Sequence, residues 1–403
     1  MNLFKIYNYT TIVKVSGKIN IWSPAWILIG SPKNFIGKIL VTENLISPNG
    51  LAIDFEENTL YWVDSVIQVC DLDGSNRSLL IWEDLENPRA LALHYKRGLI
   101  FWANWGKNAK IERSEMGGSN RRVLHTSELK WPNGLTIDFE RDLLFWNDAW
   151  NSVIEFSDLD GKNRKTFLRN IEHPYGMAVA DPYLYLTDWK SETLQRVHKS
   201  TGKDKMYDVA LHSLVCSRFQ MDKVDDNSCG LNNGGCSHLC LRTASAYMCK
   251  CPTGLKMKDD GKTCSSQLFS FIMISAKQAI FRVSTDTPEL WPIVLPVNPS
   301  IHNAVALDFH WNNSAIYYAD VAAKTIRPAL IKGRCRTTLR PHVVTNILSV
   351  NGIAVDWLAN NIYWTDGGSK SIHVARLDGR FRKTIVNSDL EDPWSIAVFP
   401  QKG

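Results

Sequence analysis

Tyr61-Trp62-Val63-Asp64 is one of six tetrads in this chain that begin with an aromatic residue and end in Asp or Asn. The six tetrads start at Tyr61, Phe101, Phe145, Tyr185, Tyr317 and Tyr363. Subtraction gives spacings of 40, 44 and 40 residues in the first set and 46 in the second. A period of this length is typical of repeat architectures in which each repeat is one supersecondary unit.

Each tetrad lies within a longer repeat. The first has Pro48-Asn49-Gly50 and a short apolar run upstream, and the turn Asp71-Leu72-Asp73-Gly74 downstream. The repeat predicts four short β-strands, near residues 51–55, 60–64, 67–72 and 77–82. Four antiparallel strands in about 40–45 residues are typical of one β-propeller blade.

The residue types of the tetrads suit a structural role. Adjacent blades pack face to face, and a bulky aromatic side chain would fill the wedge between them. The acidic residue would accept hydrogen bonds at the corner between strand and loop. Because these types recur in every repeat, we interpret them as scaffold rather than as catalytic acids. The structural residues are Tyr61, Trp62, Asp64, Phe101, Trp102, Phe145, Trp146, Asp148, Tyr185, Asp188, Tyr317, Asp320, Tyr363, Trp364 and Asp366.

Six of the nine cysteines lie within residues 229–264. This density predicts a disulfide framework and an oxidising compartment, although spacing alone permits fifteen pairings. Zinc is disfavoured, because Cys249-Lys250-Cys251 is not a C-x2-C pair and His238 is the one histidine in the cluster. Cys70, Cys216 and Cys335 are expected to be lone or buried thiols, and a disulfide between two of them remains an alternative.

Bulk composition bounds the class of partner. The net charge of +5 is spread over turns such as Arg380-Phe381-Arg382-Lys383, without a basic arm of the kind that binds nucleic acid. No apolar run approaches the roughly 18 residues that would span a bilayer. Glycosylation sequons at Asn8, Asn76 and Asn312 fit secretion.

The tetrads, with their Pro-x-Gly and Leu-Asp-Gly flanks, resemble the YWTD repeats of the low-density lipoprotein receptor family, in which six repeats close a propeller. The cysteine spacing, with residues 232–240 at its centre, resembles an EGF-like domain. That resemblance implies the pairs Cys229–Cys240, Cys236–Cys249 and Cys251–Cys264. Calcium is not expected, because the approach to the first cysteine, residues 225–228, lacks the Glu of calcium-binding modules.

The expected fold is all-β: two incomplete YWTD six-bladed-type β-propellers joined by a disulfide-rich EGF-like module. Residues 1–37 form an atypical N-terminal segment, 38–222 four blades, 225–265 the EGF-like module, and 266–403 two to three blades. The third of these would begin at Asp392-Pro393-Trp394. Since neither set reaches six blades, we expect the chain to be part of a longer protein.

The order propeller, EGF-like module, propeller resembles that of the LDL receptor-related proteins. The branch that contains the agrin receptor is the nearest match, and the Wnt co-receptors follow. The resemblance implies the extracellular portion of a cell-surface receptor, attached to the membrane through another part of the protein. Its implied partners are secreted proteins (agrin-like, Wnt or Wnt inhibitors) and a co-receptor, with no cofactor or metal.

A candidate ligand face follows from three tryptophans that lie just beyond tetrads, where the chain leaves the strand. They are Trp105, Trp150 and Trp189. Tryptophan is a frequent anchor in interfaces, but these indoles could equally pack between blades.

Two other classes of protein are alternatives. A matrix protein of the nidogen kind also carries a YWTD propeller and EGF-like modules. A metal-dependent propeller hydrolase is disfavoured, because the sequence has no G-x-S-x-G or H-E-x-x-H motif.

Overall fold

The computed structural model describes strands 12–15, 27–31 and 34–41 and then residues 45, 48–54, 56–188, 190–191, 193–208, 229–230, 232–265, 270–295, 297, 301–310, 312, 314–330 and 343–401. Asn8, Trp189, Cys216 and Cys335 lie outside these residues. The described part of the chain is all-β, with two short 3₁₀ segments at Tyr95–Arg97 and Asn232–Gly235. It divides into two compact units, Met1–Gln267 and Leu268–Gly403.

The first unit contains four successive four-stranded antiparallel sheets, which we call blades A to D. Blade A consists of β4 (Leu51–Asp54), β5 (Thr59–Val63), β6 (Ile67–Asp71) and β7 (Ser78–Ile81). Blade B consists of β8 (Pro88–His94), β9 (Leu99–Asn104), β10 (Lys110–Glu115) and β11 (Arg122–His125). Blade C consists of β12 (Pro132–Asp138), β13 (Leu143–Asp148), β14 (Val153–Asp158) and β15 (Lys165–Arg169). Blade D consists of β16 (Pro174–Ala180), β17 (Tyr183–Asp188), β18 (Thr193–His198) and β19 (Met206–Asp208).

A further three-stranded sheet precedes blade A. It is formed by β1 (Ile12–Val15), β2 (Ile27–Ser31) and β3 (Asn34–Val41). Val41, at the end of β3, is buried in one core cluster with Leu51, Leu60 and Trp62 of blade A. The N-terminal segment, which lacks the repeat pattern, therefore still contributes strands.

The tetrads lie on the second strand of every blade, and alternate residues face opposite sides of the sheet. Trp102 packs with Tyr61 between blades A and B, whereas Phe101 packs with Trp146 between blades B and C. All four side chains are fully buried. Two aromatic positions per tetrad, rather than one, thus fill the wedges on either side of each blade.

The first strands of successive blades lie side by side. A Cβ at Gly134 would lie 2.4 Å from the carbonyl oxygen of Tyr175 in the next blade. Gly50 stands in the same relation to the carbonyl oxygen of Arg89, also at 2.4 Å. The Gly of the Pro-x-Gly motif is therefore needed where two backbones meet, which the sequence pattern alone does not reveal.

The cysteine module contains β20 (Leu239–Arg242) and β21 (Tyr247–Lys250) and belongs to the first unit. Three disulfides join Cys229 to Cys240, Cys236 to Cys249, and Cys251 to Cys264. Leu239 and Leu241 are fully buried in the core cluster shared by blades A and B. The module is thus packed directly against the blades.

The described residues of the second unit form three sheets. The first is a three-stranded sheet of β22 (Phe271–Ala276), β23 (Ala279–Ser284) and β24 (Pro292–Val294). Blade E consists of β25 (Ala304–His310), β26 (Ala315–Asp320), β27 (Thr325–Leu330) and β28 (Val344–Thr345). Blade F consists of β29 (Val350–Asp356), β30 (Asn361–Asp366), β31 (Ser371–Arg376) and β32 (Lys383–Val386).

One sheet of this unit was not predicted from the sequence. The sheet β22–β24, which has no tetrad, precedes blade E. The segment that begins at Asp392 contains no strand among its described residues. It nevertheless lies against blade F as a first strand would, since a Cβ at Gly352 would be 2.6 Å from the carbonyl oxygen of Trp394.

Candidate protein-binding face

Two of the three predicted tryptophans lie at the same end of the first unit. We call this end, at which the first strand of each blade begins, the upper end. Trp105 and Trp150 follow the second strands of blades B and C, and both loops lie at the upper end. The side chain of Trp150 is 58% exposed, whereas that of Trp105 is half-buried. Among the described residues, no ring contact joins Trp105 directly to Trp150.

Trp131, which the sequence did not single out, joins them. Its ring centroid lies 5.7 Å from that of Trp105 and 4.8 Å from that of Trp150, the latter edge to face. His173, before blade D, lies 6.1 Å from Trp131. We call Trp105, Trp131 and Trp150 the indole cluster. It spans loops of blades B and C that are far apart in sequence.

The tetrad residue Asp148 fixes this cluster. Its carboxylate accepts hydrogen bonds from the backbone N–H groups of Trp131 at 3.2 Å and Trp150 at 3.0 Å. It also accepts N–H donors from Lys130 at 2.7 Å and Asn151 at 3.1 Å. One carboxylate therefore holds the two loops that carry two of the indoles.

Arg89 adds a cation beside the indoles. Its guanidinium carbon lies 4.9 Å from the ring centroid of Trp105 and 5.8 Å from that of Tyr175. It donates a hydrogen bond to Asn133 Oδ1 at 3.0 Å. Arg89, Asn133 and Tyr175 are the second residues of the first strands of blades B, C and D, so they lie together where those strands begin.

This arrangement suits a bound polypeptide. Rigid indoles provide apolar area with little loss of conformational entropy, and a guanidinium stacked on an aromatic ring provides directional donors. The half-buried Arg89 can therefore orient a polar or acidic group of a ligand while the indoles contact its apolar side chains.

At the opposite end of the first unit, the cysteine module packs against blades A and B. Arg242 Nε lies 2.7 Å from Glu57 Oε1, and Arg242 also pairs with Glu56, in the loop between the first two strands of blade A. The Leu79 N–H donates to Thr253 Oγ1 at 2.9 Å. A Cβ at Gly98 would lie 2.3 Å from the carbonyl oxygen of Thr243. The module therefore occupies the lower end of blades A and B, whereas the indole cluster lies at the upper end, which is the candidate face.

One cluster of carboxylates has the composition of a metal site, but a lysine stands at its centre. Asp138, Glu140 and Asp181 surround Lys199 Nζ, which lies 2.8 Å from Asp138 and 2.7 Å from Glu140. Burial alone would lower the pKa of Lys199, but hydrogen bonds to the three carboxylates outweigh it and raise the pKa. We therefore assign the cluster to a link between blades C and D.

A recurring arginine is the structural residue that sequence reasoning missed. The guanidinium of Arg121 lies 5.4 Å from the ring centroid of Trp102, and that of Arg164 lies 5.4 Å from that of Trp146. Arg77 over Trp62 and Arg382 over Trp364 repeat this geometry at 5.1 and 5.2 Å. The signal was present: in blades A to C an Asn-Arg pair begins two residues after the glycine of the turn.

The described sequons differ in environment. Asn76 has a left-handed φ of 53°, and its amide donates to Asp71 Oδ2 at 2.6 Å. Ser78 of the same sequon is buried. Asn312 is exposed between β25 and β26. Asn312 is therefore the more accessible acceptor in the folded chain.

Cys70 is a free thiol in the core of blade A. Burial raises its pKa to about 12, so it is protonated at neutral pH. Within the described part of the chain, no helix has the length and apolar character needed to cross a membrane.

Comparison with known families identifies the repeats. Residues 58–95, 98–139 and 360–400 match the family described as low-density lipoprotein receptor repeat class B. Residues 229–264 match the family described as Coagulation Factor Xa inhibitory site, and this range runs from the first to the last of the clustered cysteines.

Two curated proteins illustrate the similarity. Low-density lipoprotein receptor-related protein 4 of Homo sapiens is 40% identical over 218 residues, which cover 53% of this chain and 11% of that protein. Low-density lipoprotein receptor-related protein 5 of Mus musculus is 39% identical over 333 residues, covering 79% of this chain and 20% of that protein. The chain thus spans between 11% and 20% of the length of these relatives.

Among solved structures, a chain from the crystal structure of a nidogen/laminin complex is 32% identical to this one. The match covers 46% of this chain and 72% of that chain, with a TM-score of 0.44.

Proposed function

We infer that this chain is part of the extracellular region of a cell-surface receptor. It carries low-density lipoprotein receptor class B repeats and is similar to the LDL receptor-related proteins. Its function is to bind secreted proteins at the upper end of the first unit. The membrane attachment belongs to another part of the same protein.

The observation that carries this proposal is the indole cluster beside Arg89. Trp and Arg side chains that pack together at the surface are typical of the few residues that dominate binding energy in protein interfaces. The loops that carry Trp131 and Trp150 are fixed by Asp148, so little order has to be gained there on binding. We propose agrin-like proteins, Wnt proteins or Wnt inhibitors as ligands, because the resemblance implies these classes.

Binding of the purified chain to recombinant agrin and to a recombinant Wnt inhibitor tests the proposal. Trp150→Ala and Arg89→Ala should each weaken binding of a ligand about tenfold or more, as expected for central interface anchors. Trp394→Ala is the matched control, because its side chain is 70% exposed but belongs to the second unit. It should bind as the wild type does.

Two results would contradict the proposal in different ways. If a ligand binds and neither Trp150→Ala nor Arg89→Ala weakens it, the face is wrong. If neither ligand class binds the wild-type chain, the ligand assignment is wrong.

A further inference from the structure

The turn between the third and fourth strands has the same construction in blades A, B and C. The carboxylate at the end of the third strand accepts a hydrogen bond from an Asn amide five residues later. The pairs are Asp71–Asn76 at 2.6 Å, Glu115–Asn120 at 2.8 Å and Asp158–Asn163 at 3.0 Å. Each Asn has a positive φ, between 53° and 58°, which Asn tolerates better than most residues.

Blade F replaces both members of this pair. Arg376 stands where the carboxylate stands, and Phe381 stands where the Asn stands. The guanidinium of Arg376 lies 5.1 Å from the ring centroid of Phe381. Phe381 keeps the left-handed φ of 56°, which is unfavourable for a bulky residue, and its side chain is 74% exposed. Neither burial nor backbone geometry explains a phenylalanine here.

The exchange changes the charge of the turn. Residues 376–383 contain four basic residues and one acidic residue, a net charge of +3. The same eight positions of blade C, 158–165, contain three basic and two acidic residues, a net charge of +1. The difference in net charge comes from one repeat position, where blade C has Asp158 and blade F has Arg376.

The basic side chains of the blade F turn have different surroundings. Arg382 is exposed, but its guanidinium lies over Trp364 and donates to the carbonyl oxygen of Thr345 at 2.9 Å. Arg376, Arg380 and Lys383 are exposed. Arg380 lies 3.8 Å from Asp378, a distance at which an exposed pair is weak. Lys383 pairs in register with Val374, two residues before Arg376, so the side chains of Lys383 and Arg376 project from the same face of the hairpin.

We propose that this turn, residues 376–383, binds a sulfated polysaccharide. Guanidinium and ammonium groups are the preferred partners of oxyanions, and short segments rich in Lys and Arg are typical of heparin-binding patches. The site is an exposed hairpin turn between β31 and β32, across which a linear polymer can lie. The exposed ring of Phe381 offers a flat apolar surface to the C–H groups of a sugar ring.

The choice of a polysaccharide rather than another polyanion rests on the proposed function, because it requires the chain to be outside the cell. The binding itself does not involve the indole cluster. A heparin assay can therefore fail while Trp150 still governs protein binding, and the two proposals are tested separately.

Elution of the intact chain from immobilised heparin along a salt gradient tests the proposal. The double variant Arg380→Ser/Lys383→Ser should elute at clearly lower salt, with affinity reduced about tenfold, because oxyanion contacts are charge-assisted. The matched control is Lys162→Ser/Lys165→Ser, which removes the same number of exposed charges from the equivalent positions of blade C. This control should elute close to the wild type.

A second pair of variants isolates the exchanged residues. Arg376→Asp/Phe381→Asn gives blade F the pair found in blade C, and should also elute at lower salt. Equal shifts for the blade C and blade F serine variants would overturn the proposal, because net charge alone would explain retention. Unchanged elution of both blade F variants would overturn it as well. So would equal retention on immobilised polyglutamate, which would indicate an acidic protein as partner.

Discussion

Aspartates at the ends of the second strands hold the corners of the blades. Asp366 accepts backbone hydrogen bonds from Leu348 and Ser349 at 2.9 Å each, and from Gly368 and Ser369. Burial alone would raise the pKa of this carboxyl, but the four N–H donors outweigh it and hold the pKa below its usual range. Asp188 and Asp320 show the same balance. The charged form of each carboxylate is thus favoured in the folded state.

Replacing Asp366 by Asn should lower the stability of the second unit by about 1–3 kcal/mol, because the amide presents one acceptor oxygen to four donors. Urea unfolding of the chain measures this loss. In the wild type, the contribution of the carboxylate is present above the unfolded-state pKa and is lost as the pH falls below about 4. Asp389→Asn, an exposed position, is the control. An equal loss in both variants would contradict the role of the corner.

The stability of the first unit should also depend on pH through His125, whose neutral form is favoured in the folded state. It is buried, its ring centroid lies 4.7 Å from that of Trp146, and a ring nitrogen lies 3.1 Å from Ser157 Oγ. Burial and then the charge of Arg164 lower its pKa to about 4. The unfolded chain takes up this proton near pH 6.5 and the folded chain only near pH 4, so acidification favours unfolding between these values.

Replacing His125 by Gln should reduce the dependence of the first unit's melting temperature on pH between 6.5 and 4.5. Thermal unfolding at several pH values measures the slope. His198→Gln, at a half-exposed position of blade D, should leave the slope unchanged. Identical slopes in the wild type and in His125→Gln would show that this histidine is not responsible.

In blades B, C and F, the arginine that directly precedes the fourth strand joins its blade to the preceding one. Arg121 lies over Trp102, pairs with the buried Glu112 at 3.0 Å, and donates to the carbonyl oxygens of Glu83 and Asp84 after blade A. Arg164 repeats this in blade C, where it donates to the carbonyl oxygen of Ser127 after blade B. The arginine side chain therefore connects the core of its own blade to the backbone that follows the last strand of the preceding blade.

Arg121→Ala should destabilise the first unit by about 3 kcal/mol, because it leaves the buried Glu112 with a weaker partner. Lys110 lies 3.4 Å from the same carboxylate and would compensate in part. Arg122→Ala, the adjacent residue with a 53% exposed side chain, should change stability by less than about 0.5 kcal/mol. Chemical unfolding followed by tryptophan fluorescence measures both, and similar effects would contradict the assignment.

The cysteine module shares one core with blades A and B. We therefore expect the module and the blades of the first unit to unfold in a single transition. Cys229→Ser/Cys240→Ser should lower the transition of the first unit, because a native disulfide contributes about 2–5 kcal/mol in a small module. The transition of the second unit should stay where it is. Differential scanning calorimetry of the chain resolves this, and a shift of both transitions, or of neither, would contradict the division.

The strand pattern was largely predictable, whereas sheets without a tetrad were not. The four strands of blade A lie within about one residue of their predicted bounds, since alternation and turn residues are local signals. The sheet β22–β24 was missed because its strands carry no aromatic tetrad. The segment at Asp392 stays a predicted entry to a further blade: its described residues contain no strand, but the backbone of Trp394 lies against Gly352 of blade F.

The periodic aromatic tetrads and the turns that follow them were enough to determine the number of strands per repeat, the strand that carries each tetrad, and the all-β class. These features depend on side-chain alternation and backbone preferences over a few residues. Only the packing of the blades decided that Trp131 joins Trp105 to Trp150, that Gly134 meets the backbone of Tyr175, and that Arg121 reaches the carbonyl oxygen of Glu83. These contacts join residues of different blades, and the physical reason is that radial packing, unlike strand formation, is set by surfaces far apart in the chain.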